Sequence, residues 1–87
     1  MIKVVGAERV ATTAHGASTN INNATMVRCY NNHASNDVIV TLRTAADVTI
    51  GTFTVGPKSV EYLDKNITDE MFAAHADILF TSVVVMG

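Results

Sequence analysis

A small antiparallel β-sandwich or barrel is the fold this sequence predicts, all-β apart from one short helix near residues 68–76. Three observations predict it. Twelve valines and eleven threonines stand among 87 residues, and both types fit a pleated surface better than a helix because they are stiff at χ1. From residue 25 on, apolar-rich runs of six to eight residues alternate with turn-forming clusters. Parallel topologies need crossovers of a dozen or more residues, usually helical, and the spacing leaves no room for them.

Residues 1–24 differ in kind from the rest. After Ile2–Val5 the chain is small and polar, with Ala11-Thr12-Thr13-Ala14 and Gly16-Ala17-Ser18-Thr19-Asn20. Few large side chains are on offer for burial. The expectation is an N-terminal arm or long loop with a short first strand near Arg9–Thr13. It would lie on a neighbouring subunit or be disordered, since long structureless loops are uncommon inside compact domains.

Residues 25–87 form the sandwich domain. Thr25–Tyr30 is a strand with Val27 and Cys29 on one face. Asn31–Asp37 is a turn region, rich in residues that bond their own backbone. Val38–Arg43 follows, joined through Ala45-Ala46-Asp47 to Val48–Val55 as a hairpin. In that second strand Val48 and Ile50 have the opposite parity to Phe53 and Val55. A bulge at Gly51-Thr52 would turn all four inward. Gly56-Pro57 ends the strand and Val60–Lys65 is the next. Thr68 is placed to cap a helix, with Asp69 and Glu70 in the first turn, where the dipole favours anions. Ile78–Val85 is apolar on both faces, as for a central strand or one covered by a partner chain.

Composition excludes several classes. The apolar share is 48% and the charged share 16%, which rules out a chain kept disordered by charge. A net charge of −2, with no two of the six basic residues adjacent, argues against nucleic acid as a partner. No apolar run exceeds four residues, as in Val83–Met86, far below the ~20 residues that cross a bilayer. The opening Met1–Gly6 does not read as a signal peptide. With Cys29 as the single cysteine, no internal disulfide forms and stability must come from burial. A chain of this length buries only ~60–65% of its unfolded surface, so an isolated monomer is marginal and oligomerisation or docking on a larger body would help.

Candidate chemistry is sparse. His15, His33 and His75 lack the i, i+2 or i, i+4 partners of a metal motif, and neither a metal nor another cofactor is expected. A symmetry axis could still gather His15 or His33 from several chains. Cys29 reads as a small buried side chain. Asp69 and Glu70 have a structural reason to start a helix, and Asp64-Lys65 reads as an exposed pair. Neither a Gly-x-Ser-x-Gly nucleophile motif nor a phosphate loop occurs. No catalytic residue is therefore expected. Tyr30, Tyr62, Phe53, Phe72 and Phe80 read first as core, with Tyr30 on a face with Arg28.

The order of segments carries more information than any one of them. Val27-Arg28-Cys29-Tyr30-Asn31 is followed by an apolar hairpin, Val38–Leu42 with Val48–Ile50. Then come Gly51-Thr52-Phe53-Thr54-Val55, Glu61-Tyr62-Leu63-Asp64-Lys65 leading to Thr68-Asp69, and Ile78–Val85. This order resembles a group of short virion proteins of tailed phages, especially marine and cyanobacterial ones. A proline usual between the lysine and the Thr-Asp step is replaced here by Asn66-Ile67. The resemblance implies a head decoration or cement protein in the virion, assembled in the host cytoplasm. Its implied partners are copies of itself, a trimer being favoured, and the major capsid protein or other virion proteins. Neither nucleic acid nor a membrane is expected. Ile78, Phe80, Val83, Val84 and Val85 are the expected subunit contacts, and Val10, Thr12, Thr13 and His15 the expected capsid contacts. The alternative is a tail- or surface-associated carbohydrate-binding β-module, which exposure of Tyr30 and Tyr62 on one face would favour.

Overall fold

The structure, a computed structural model, describes residues 2–13, 18–21 and 23–85. All regular elements among them are strands: β1 Ile2–Val4, β2 Arg9–Val10, β3 Met26–Asn31, β4 Val38–Arg43, β5 Thr49–Val55, β6 Val60–Asp64, β7 Glu70–Ala73 and β8 Ile78–Val85. They form two antiparallel sheets, one ordered β1-β8-β3-β6 with β2 also on β8, the other ordered β5-β4-β7. The sandwich expected from the sequence is the fold.

β8 is the centre of the larger sheet. β3 pairs with it from Met26↔Val83 to Asn31↔Ile78. Its other side carries β1, with Val4↔Val83, and β2, with Arg9↔Phe80. Ile78, Phe80 and Ser82 are buried on one parity, and Thr81 and Val83 on the other. Of the two expectations for this doubly apolar strand, the central position holds.

The core lies between the sheets. The larger sheet supplies Val27, Cys29, Ile78 and Phe80, and the smaller one Val38, Val40, Val55, Met71 and Ala73. Burying each of the Val, Ile, Phe and Met side chains contributes roughly 1.5–3 kcal/mol. The described residues among the first 24 do not form a separate arm. Ala11, Ile21 and Ala24 are buried in that same core. Thr19 exchanges two backbone hydrogen bonds with Met71, and the Thr12 carbonyl accepts from the Ala73 N–H. Short strands and caps on a sheet edge need few large residues, so a segment of small side chains serves there.

The helix expected at 68–76 is absent. Ile67 and Thr68 form a turn, closed by Asp69 N–H donating to the Asn66 carbonyl at 3.1 Å. The Asp69 carboxylate accepts from Asn66 N–H at 3.4 Å. β7 then pairs with β4 from Arg43↔Glu70 to Val40↔Ala73. Met71, Phe72 and Ala73 are all buried. Residues that could start a helix are drawn into a strand by partners on both sides, a tertiary override of local preference.

The hairpin of β4 and β5 is as expected, but its bulge does different work. Leu42 faces Gly51 and Arg43 faces Thr49, so Ile50 is the extra residue. Phe53 and Val55 turn inward, whereas Val48 and Ile50 stay exposed.

Candidate functional site: a groove between two open strand edges

The two sheets end on the same side in β5 and β6. The groove between them has a volume of about 400 Å³ and is walled by Ile50, Phe53, Leu63, Leu42, Tyr62 and Glu61. Leu42, Phe53 and Leu63 are partly buried against the core, so the groove floor is the uncovered margin of the sandwich interior. A second recess of about 380 Å³ continues it past Asp64, Lys65 and Asp69.

Backbone alternation fixes what the β5 edge offers. Ala74 N–H donates to the Ile39 carbonyl, so Ile39 and Thr41 direct their backbone groups toward β7. Val38, Val40 and Leu42 therefore bond β5, through Val55, Phe53 and Gly51. Thr52 and Thr54 direct N–H and C=O away from β4. No strand lies on that side among the described residues.

Titratable groups near the groove are tied to structure. Lys65 is buried, and its ammonium donates to the Asn66 carbonyl at 3.1 Å. Burial pushes Lys65 below its usual range, while the carboxylates of Asp69 and Glu70 pull it back up. Cys29 is fully buried on β3. Burial, and secondarily the Glu61 charge, push its thiol up to about 12. At neutral pH it carries no thiolate to act as nucleophile or ligand.

Tyr30 and Tyr62 share the outer face of the larger sheet. Tyr62 stands opposite Arg28, whose guanidinium lies 5.4 Å from the Tyr30 ring centre and 3.4 Å from Glu8. Tyr62 is 48% exposed.

His33 and His75 do meet, with ring centres 6.1 Å apart at 86°. Asp77 lies 3.2 Å from His75 Nδ1 and 3.9 Å from His33 Nε2. His33 Nδ1 accepts the N–H groups of Ser35 and Asn36, and His75 Nδ1 accepts that of Asp77. Each Nδ1 is thus engaged as an acceptor when the ring is neutral. A metal on Nε2 would require hydrogen on Nδ1, against those donors. The rings are turn-closing acceptors, and among the described residues no group of three His, Cys, Asp or Glu is placed to hold a metal.

The expected contact residues scatter. Ile78, Phe80 and Val83 are buried in the chain's own core and Val84 is half-buried. The Val85 backbone pairs with Ile2. Ile78, Phe80 and Val83 thus stabilise the monomer rather than presenting a subunit surface. Val10 and Thr13 are exposed and Thr12 is half-buried. His15 lies outside the described residues. Sequence reasoning missed the groove. The signal was the parity slip in β5, which left Ile50 outward once the bulge formed. Comparison with family models, characterised proteins and solved structures returns no match to this chain.

Proposed function

We propose that this chain is a structural, self-associating subunit of a phage virion, with decoration of the head shell as its role. The observation that carries the reading is the pair of unpaired strand edges on one side of the sandwich, with a partly apolar groove between them. Such edges add strands and apolar area across joints between subunits. The order of segments from Met26 to Val85, which resembles short virion proteins of tailed phages, supports the setting. Val10, on β2 at the far edge of the larger sheet, and the exposed Thr13 supply the capsid contact in this reading. Quantitative mass spectrometry of purified particles tests it. A copy number near that of the major capsid protein is expected. Absence from particles rejects the virion role, and a low copy number moves the protein to a vertex, neck or tail.

A second reading has its own observation. Arg28, Tyr30 and Tyr62 stand together on an outer face, an arrangement that stacks against sugar rings. It predicts that a glycan array yields binders and that Tyr62→Ala abolishes their binding.

A further inference from the structure

We infer that the β5 edge is the contact between two copies of this chain, paired antiparallel about a two-fold axis through Phe53. The inference deepens the self-association proposed above and rests on that reading.

The other edges are occupied or unsuited. Thr12 and Thr19 cover the outer side of β7, and the edge beyond β8 is broken into the short strands β1 and β2, which carry Lys3 and Arg9. β6 is open but carries Glu61 and Asp64, and pairing it with itself would place carboxylates against carboxylates. β5 reads Thr49-Ile50-Gly51-Thr52-Phe53-Thr54-Val55, without charge or proline. Edge strands that remain single in solution are usually guarded by charges, prolines or covering loops. Beyond the bulge at Ile50, the uncharged Thr52-Phe53-Thr54-Val55 leaves an open edge without that guard.

The geometry selects the second copy and its register. Thr52 and Thr54 are the two residues of regular β5 backbone that point outward, beyond the bulge at Ile50. With Thr52 facing Thr54 of the second copy, both exchange N–H and C=O with it, and the two-fold axis repeats the exchange. Phe53 then faces Phe53 of the second copy at the close, non-hydrogen-bonded position, where side chains approach most nearly. The half-buried aromatic ring at the groove wall gains a partner of its own kind. Along β5 itself, neutral residues meet neutral residues. An isologous contact of this sort closes at two chains, whereas the sequence resemblance favoured three.

Light scattering on the purified full chain, across about 1–100 µM, reads the result. A dimer is expected for the natural chain. Thr54→Pro removes an N–H that makes no bond within the monomer, and Thr52→Lys places a charge on the edge. Each should weaken dimerisation at least about tenfold. Ile39→Lys, on the exposed face of the same sheet but away from the edge, should leave it unchanged. Circular dichroism confirms folding, and Thr52→Lys decides the matter if the proline variant unfolds. Amide exchange at Thr52 and Thr54 should slow as concentration rises. A natural chain that stays monomeric, one that forms a trimer, or a dimer indifferent to both edge variants overturns the inference. Association in solution is read separately from presence in particles, so either conclusion can fail alone.

Discussion

The side-chain amide of Asn31, fully buried at the end of β3, donates to the carbonyl of Val55 at the end of β5 across 2.9 Å. It thereby ties the larger sheet to the smaller one. Its second N–H reaches the Asn36 carbonyl at 2.8 Å, and its oxygen accepts from His33 N–H at 2.9 Å. One side chain closes the 31–37 turn and pins both sheets, and no backbone group could reach all three partners.

Replacing Asn31 should therefore cost more than its size suggests. Asn31→Leu leaves two carbonyls and one N–H without this partner, at a cost of about 2–4 kcal/mol. Asn31→Asp should be worse at pH 7, because a carboxylate would face the two carbonyls. Urea unfolding of both variants checks this. Equal stability for natural chain and Asn31→Leu would show that water replaces the amide at no cost.

Cys29 makes stability fall at high pH. Its folded value is raised from 9.0 to about 12, so the folded state holds the proton more tightly than the unfolded one. That contribution is complete below pH 9 and is lost as pH rises toward 12. The slope approaches about 1.4 kcal/mol per pH unit. Cys29→Ala should flatten the curve over this window. The native thiol should also resist alkylation at pH 8 until denaturant is added, and rapid labelling of folded protein would contradict its burial.

Ile21 is buried and β-branched, yet its φ is +55°. An isoleucine in the left-handed region is strained by roughly 1–2 kcal/mol, which its burial in the core offsets. Ile21→Ala should lose about 2–4 kcal/mol. Glycine usually costs more than alanine, but here it relieves the backbone. Ile21→Gly should therefore be at least as stable as Ile21→Ala. The reverse order in thermal melts would deny the strain.

Deletion of residues 1–13 should unfold the domain or lower its melting temperature sharply. It removes β1, β2, the Ala11 side chain and the Thr12 carbonyl bonded to Ala73. The proposed capsid docking is therefore better probed by Val10→Asp, whose side chain is exposed, than by truncation. A deletion variant with an unchanged melting temperature would show the segment to be a dispensable arm after all.

Strand positions in the second two-thirds of the chain were legible because each side chain alternates with period two against a buried face. Val27 with Cys29, and Val38 with Val40, carry that signal without reference to anything distant. The site was less legible. Groove walls come from β4, β5 and β6, and an open edge is a property of which strands fail to find neighbours. Nothing local in Thr52 or Thr54 records that their amides face outward.

Local sequence determined the all-β class, the β4–β5 hairpin and the doubly apolar character of β8, since valine, threonine and turn chemistry act over a few residues. Tertiary structure alone decided that Glu70–Ala73 is a strand, because pairing with β4 and Thr19 outweighs a weak helix start. It alone set Ile21 in a left-handed turn, where core burial offsets the strain. It alone left β5 and β6 as neighbouring open edges, because pairing across long sequence separations is settled by which surfaces remain once the core has closed.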